Sequence, residues 1–364
     1  MTRIEPYSDK EVKFVLENLL KDKEFLNFVK ENLNSSTSKF LSIPGSKFLA
    51  LQLFKSKVRK IRTIDQFQDQ VMIVLKSVIN QTMDKFSYSG SDLLDINKPY
   101  LFISNHRDIT LDSALCNYAI HSTGLKTTHN AIGDNLVSID WMGDLLRLNK
   151  SFVVPRSGKS KKEIYNNLFN VSNYIKSTLN TGNHIWIAQR QGRAKDGIDK
   201  TDPAVLKMLH IALRKSANFE DLTKYYNIIP CSVSYEFDPL AKEKAKQVTD
   251  AKNKKEQDDI KHIFKGIMEH KGFVHLNIGE QITGSYSPED LAKEIDQSII
   301  GNYKIWDTNM YAYKYLHEQV NDKDFPRASS YFNELRTSMT NKELEYIMNQ
   351  YSNPLIAKGE FKNE

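Results

Sequence analysis

Disulfide chemistry has almost no material here: the 364-residue chain has two cysteines, Cys116 and Cys231. No Cys or His spacing matches a ligand set, which argues against a disulfide framework and against a zinc site; no metal or redox cofactor is implied. Apolar runs are short. None approaches the ~20 residues that span a bilayer, and the opening Met1-Thr2-Arg3-Ile4-Glu5-Pro6 has no apolar signal core. These absences lead to the expectation of a cytoplasmic protein, peripheral at most on the inner face of the cytoplasmic membrane. No Gly-x-Ser-x-Gly elbow occurs, which removes the serine hydrolases. His106-Arg107-Asp108 is similar to a protein-kinase catalytic loop, but Ser113 stands where that loop needs Asn. A Gly-rich nucleotide loop and an Asp-Phe-Gly are also missing. Repeats and low-complexity tracts are absent. Charge imbalance is slight: a net +6 suits anionic small molecules, acidic carrier proteins or anionic lipid, and is too weak to argue for nucleic acid.

What is present is the composition of a soluble globular protein, 40% apolar and 26% charged. Residues 9–90 carry helical spacing, with Val12, Val15, Leu16 and Leu19 on one face and Leu51, Phe54, Val58 and Ile61 on another. Ser87–Ser91 has the look of a boundary. From Lys98 short β-rich runs alternate with helical stretches: Tyr100–Ser104, Phe152–Val154, Ile185–Ala188, Ile228–Tyr235 and Phe273–Ile278. An amphipathic helix carries Ile164, Leu168, Val171, Ile175 and Leu179 on one face and stops at Gly182; another starts at Asp202-Pro203. Such alternation predicts an α/β fold, a mostly parallel sheet flanked by helices. Residues 241–262, rich in Lys, Glu, Asp and Gln, read as an exposed helix or mobile insertion. The expected layout is an N-terminal helical region (1–95), an α/β catalytic domain (96–300) and a helical C-terminal tail (301–364).

The most informative residue is His106. An apolar run ends at Ser104, and Asn105-His106-Arg107-Asp108-Ile109-Thr110-Leu111-Asp112 follows before a helix-like segment. A His at a strand-to-helix turn faces outward on one side, and a carboxylate one turn away can fix its tautomer and raise its basicity. On its own such a His is more often a plain turn residue. Asp112 also suits a helix N-cap, and Asp108 a solvated residue or a partner for Arg107.

Four segments taken in order resemble the glycerolipid acyltransferase family, over roughly residues 98–284. Asn105-His106 matches its first motif. Its second is an apolar run ending in Arg, here Ser151-Phe152-Val153-Val154-Pro155-Arg156 after Trp141–Arg147. Its third, an apolar strand before Pro-Glu-Gly-Thr-Arg, is similar to Ile185-Trp186-Ile187-Ala188-Gln189-Arg190-Gln191-Gly192-Arg193. Its fourth, an apolar run around Pro, matches Ile228-Ile229-Pro230-Cys231-Ser232-Val233. Two positions depart from the pattern. The family's Asp falls on Leu111, so the partner of His106 is Asp112, which is favoured, or Asp108. Gln191 stands where the family has Glu, keeping an acceptor but losing the charge.

The resemblance implies an O-acyltransferase moving a fatty acyl group from an acyl-ACP or acyl-CoA thioester to a hydroxyl of glycerol-3-phosphate or lysophosphatidate. In that reading His106 is the base and the alcohol attacks directly. Arg156 and Arg193 hold the acceptor phosphate by guanidinium forks, with Arg107, Arg190 and Lys195 as secondary candidates. Gly192 allows close backbone approach and Gln191 shapes the same loop. A lyso-aminolipid acceptor stays open, as does a non-catalytic lipid- or carrier-binding protein that kept the fold. Residues 47–62 join an apolar face to six basic residues, as membrane-surface helices do. A helix packed in the N-terminal bundle with a solvated basic face fits the same pattern and is favoured.

Overall fold

The computed structural model describes residues 3–32, 46–155, 158, 160–250 and 258–360. They group into two compact units, Met1–Val74 with Ile132–Gly158, and Leu75–Ala131 with Lys159–Glu364. This differs from the expected division, since residues 75–95 and 301–364 both go with the second unit.

In chain order the first unit holds α1 (Asp9–Leu19), α2 (Lys23–Asn32), α3 (Ser46–Val58) and most of α4 (Ile64–Thr82). The second begins within α4 and continues with β1 (Lys85–Ser89), β2 (Leu101–Ser104), α5 (Leu111–His121) and the start of β3 (His129–Gly133). The chain then returns to the first unit for α6 (Asp140–Leu148) and β4 (Ser151–Val154). The remainder is in the second: α7 (Lys161–Asn180), β5 (Ile185–Ala188), α8 (Pro203–His210), α9 (Leu222–Tyr225), β6 (Ile228–Tyr235), α10 (Ala241–Thr249), α11 (Asp258–Met268), β7 (Phe273–Ile278), α12 (Pro288–Asn302), α13 (Asp307–His317), α14 (Pro326–Arg336) and α15 (Asn341–Glu360).

In the first unit the apolar stripe of α1 is spent inward, with Val12, Val15, Leu16 and Leu19 all buried. A capping box opens this helix: the Ser8 amide donates to Glu11 Oε2 over 2.9 Å. Trp141 of α6 stacks on Phe28 at 5.3 Å. In α3, Leu51 is buried and Phe54 meets Phe25 at 6.3 Å, while Leu53 stays exposed. The side chains of residues 47–49 lie outside the described set.

In the second unit the strands run β1-β7-β6-β2-β5-β3. All the pairs given are parallel except β6 with β7. The central strand β2 is buried along its whole length, as is β6, which explains why both are mostly apolar with no alternation of exposed polar residues. Helix α7 packs Val171, Ile175 and Leu179 inward and ends beside Gly182, whose φ of 75° is the left-handed stop expected there. Asp202 caps α8 by accepting from the Ala204 amide at 2.8 Å.

Three expectations change. Residues 85–89 form a strand, β1, paired with β7, where helix and boundary were expected. Strand β3 was not anticipated; His129-Asn130-Ala131 has little β-branched character. Within the charged stretch 241–262, read as an exposed helix or mobile insertion, residues 241–249 are helical but not wholly exposed: α10 buries Ala241, Lys244 and Ala245, and His262 of α11 is buried; residues 251–257 lie outside the described set. The C-terminal helices close around α10, where Phe332, Ile347, Met348 and Tyr351 form a second apolar cluster. None of the described helices is long and apolar enough to cross a membrane.

Candidate active site

Helices that return to a parallel sheet leave the carboxyl ends of its strands open, and ligands bind there. Strand β2 ends at Ser104, and the next residue is fixed on three sides. The Asn105 side chain donates to the Val233 carbonyl (3.0 Å) and to Asp199 (3.1 Å), and accepts from the Val233 amide (2.8 Å). An amide offers two N–H donors beside its carbonyl acceptor, which this junction uses in full. It pins the exit of β2 to β6.

His106 therefore leaves a fixed point. Its Nδ1 lies 3.0 Å from Asp112 Oδ2. A carboxylate only accepts, so Nδ1 carries the proton and Nε2 keeps a lone pair. The Asp112 carboxylate is fully buried and has three further donors: the amides of Arg107 (2.7 Å) and Asp108 (2.9 Å) on Oδ2, and the Tyr235 hydroxyl (2.9 Å) on Oδ1. The imidazole side chain is 15% exposed, whereas the carboxylate behind it is fully buried. Trp186 meets the ring edge-on at 6.1 Å. The carboxylate pushes the buried Tyr235 hydroxyl well above its ordinary value, after burial itself, which keeps it a donor.

The two aspartates divide their work. Asp112 lies inside the first turn of α5 and is not its cap. The cap residue is Thr110, whose side chain makes no cap bond; Asp108, two residues earlier, serves the helix start by accepting from the amides of Thr110 (2.9 Å) and Leu111 (2.8 Å) on Oδ1. Its Oδ2 has no hydrogen-bond partner among the described residues. Burial, and then the neighbouring Asp112 charge, raise the Asp108 carboxyl above the usual carboxylate range. A carboxyl with a raised folded-state pKa contributes its stability in full below the unfolded value and loses it as pH rises through the folded one. Asp108→Asn keeps that acceptor and never ionises. Its thermal melt should match the parent near pH 4 and exceed it by on the order of 1 kcal/mol at pH 7. Parallel melts at both pH values check this; a variant less stable at pH 7 than at pH 4, relative to the parent, would refute it.

The loop after β5 closes over the same turn. The Ala194 amide donates to the His106 carbonyl (2.7 Å), and the Gln189 amide to Ser104 (2.8 Å). Gly192 has φ of 79°, a conformation L side chains rarely adopt, so the glycine is required by the turn itself. Arg193 is half-buried. Its Nη1 has no hydrogen-bond partner among the described residues, and its charge only partly offsets the burial that raises the Asp108 carboxyl. Gln191 is exposed and Lys195 half-buried. Arg190 lies 3.5 Å from Asp196.

Arg107 points elsewhere than expected. Its guanidinium is buried on Asp199 (2.5 Å) and the Gly197 carbonyl (3.1 Å), with Tyr303 5.1 Å away across the ring face. The charge of Asp199 raises its pKa against the effect of burial. A side chain so committed braces the loop and does not bind an acceptor. Arg156 lies outside the described residues. The structure thus gathers His106, Asp108 and Asp112 at one turn, with Gln191, Gly192 and Arg193 on the adjoining loop. Sequence reasoning passed over Tyr235, Asp199, Asp238 and Lys244. Tyr235 alone carried a signal, as the polar end of an otherwise apolar strand.

The acyltransferase family profile matches residues 85–233, the stretch from β1 through the middle of β6. This chain carries an acyltransferase domain. The four motifs lie within this matched span, and so does the Asn105-His106 turn. No curated protein matches the sequence. Among solved structures, the acyltransferase is similar to the 1-acyl-sn-glycerophosphate (LPA) acyltransferase PlsC from Thermotoga maritima. That match has 12% identity and a TM-score of 0.40, and covers 79% of this chain and 91% of the other.

Proposed function

We propose that this acyltransferase transfers a fatty acyl group from an acyl-ACP or acyl-CoA thioester to a hydroxyl of glycerol-3-phosphate or lysophosphatidate, in phospholipid synthesis. The carrying observation is the His106–Asp112 pair at 3.0 Å, with Nε2 turned away from the carboxylate. The acceptor hydroxyl gives its proton to Nε2 as its oxygen bonds to the thioester carbonyl carbon. The C–S bond then breaks, the ester leaves with the acyl group, and the imidazolium returns the proton to the thiolate. Asp112 stabilises the imidazolium between these steps. Arg193, with its unpaired Nη1, supplies a cation for the acceptor phosphate. Arg156 is the second candidate, by position in the motif.

Ester products belong in membranes, and exposed Lys57, Arg59, Lys60 and Arg62 offer a basic surface for anionic lipid. The apolar side of that stretch is largely spent inside its own unit, so any contact made there is mainly electrostatic. A second reading, a carrier- or lipid-binding protein without turnover, draws on Gln191 in place of the family's Glu. Purified protein should be assayed by mass spectrometry against acyl-ACP and acyl-CoA donors and three acceptors, glycerol-3-phosphate, lysophosphatidate and a lyso-aminolipid, with and without phosphatidylglycerol vesicles. Ester product with a phosphate-bearing acceptor is expected. Thioester binding with no ester from any acceptor favours the second reading, and vesicle binding indifferent to salt ends the electrostatic one.

A further inference from the structure

Lys244 lies beyond the span matched by the family profile, in a stretch whose composition suggests solvent, yet its side chain is fully buried. Its ammonium donates to the Arg107 carbonyl (2.8 Å) and to Asp238 Oδ2 (2.5 Å). Arg107 is the residue after His106, and its amide holds Asp112. The Arg107–Asp108 peptide unit is thus clamped at both ends: its C=O accepts from the α10 ammonium, and its N–H, that of Asp108, donates to the carboxylate behind His106. Asp238 is held in turn: its Oδ2 accepts from Gln350 Nε2 (2.6 Å), and its amide donates to the Tyr351 hydroxyl (2.6 Å). The same helix, α15, reaches the loop after β5, where Asn353 donates to the Asp196 carbonyl (2.8 Å). It also comes so close to Gly197 that a Cβ there would overlap the Gln350 carbonyl.

We infer that Lys244 is a positioning residue for acyl transfer: with Asp238 it links the C-terminal helices α10 and α15 to the peptide that orients Asp112 on His106. Burying a lysine is costly, and this one is compensated by an ion pair and a carbonyl. An apolar residue would fill the helix core of α10 with less penalty, but it could not hold the Arg107 carbonyl. This inference rests on His106 being the base.

Lys244→Met alone would leave Asp238 buried without its counter-ion, so the test is the neutral pair Lys244→Met/Asp238→Asn, beside His106→Ala. Asn at 238 keeps an acceptor for the Leu240 amide, which Asp238 Oδ1 now receives at 2.9 Å. The pair should fold, with kcat lower by about 10- to 100-fold and KM for donor and acceptor within about twofold. The His106 ring nitrogens, read by 15N NMR, should lose the single tautomer of the parent. Parental kcat in the folded pair, with His106→Ala inactive, would overturn the role. So would a fall in kcat that tracks loss of thermal stability while the ring keeps its tautomer. Full activity in His106→Ala would remove the base itself and this inference with it.

Discussion

His106→Ala should fold and lose acyl transfer, with kcat lower by about 10³-fold and KM little changed. A positioned base contributes about 10²- to 10⁴-fold, and the described turn offers no second imidazole. The fold should tolerate the change. Without the ring, Asp112 still receives the Arg107 and Asp108 amides and the Tyr235 hydroxyl. The stability loss should stay within about 2 kcal/mol. Steady-state kinetics with far-UV circular dichroism checks both halves. Activity within tenfold of the parent would assign proton transfer to another group.

Asp112→Asn should be nearly as damaging, through charge and not through folding. The amide oxygen can take over the three donors on Oδ2, while its nitrogen turns toward Tyr235, whose hydroxyl can accept as well as donate. What is lost is the negative charge that stabilises the imidazolium. An Asp→Asn change behind a catalytic imidazole costs up to ~10⁴-fold in hydrolytic triads. A drop of about 10³-fold in kcat/KM is expected here, against less than about tenfold for Asp108→Asn, whose parent carboxyl serves the start of α5 and does not touch the ring. Equal losses in the two variants would mean that the turn fails as a unit.

Much of this site was legible before any coordinates. The strands β2, β5, β6 and β7 were marked by short apolar runs; the family's spacing fell on Leu111, and Asp112 was favoured over Asp108 for its place at the helix start, where the structure sets it against His106. Local signals served because strand and helix start depend on neighbours in sequence. Arg107 was misread because an arginine beside a catalytic turn looks available until Asp199, 92 positions later, is brought to it. Lys244 was hidden for the converse reason. In a lysine-rich stretch nothing distinguishes the one ammonium that Asp238 and the Arg107 carbonyl draw inside. β1 and β3 escaped because each draws its stability from a partner far along the chain.

The strand next to the β1 edge of the sheet has a practical consequence for anyone trimming this protein. β7 separates β1 from β6 and pairs with both, yet its residues 273–278 follow the profile-matched span by some 40 positions. A fragment ending at 233 would strip β1 of its partner and uncover the flank of β6, a strand buried along its whole length, as a bare edge ready to join other chains. The minimal soluble catalytic piece must run past β7, and its gene cannot be cut where family resemblance stops.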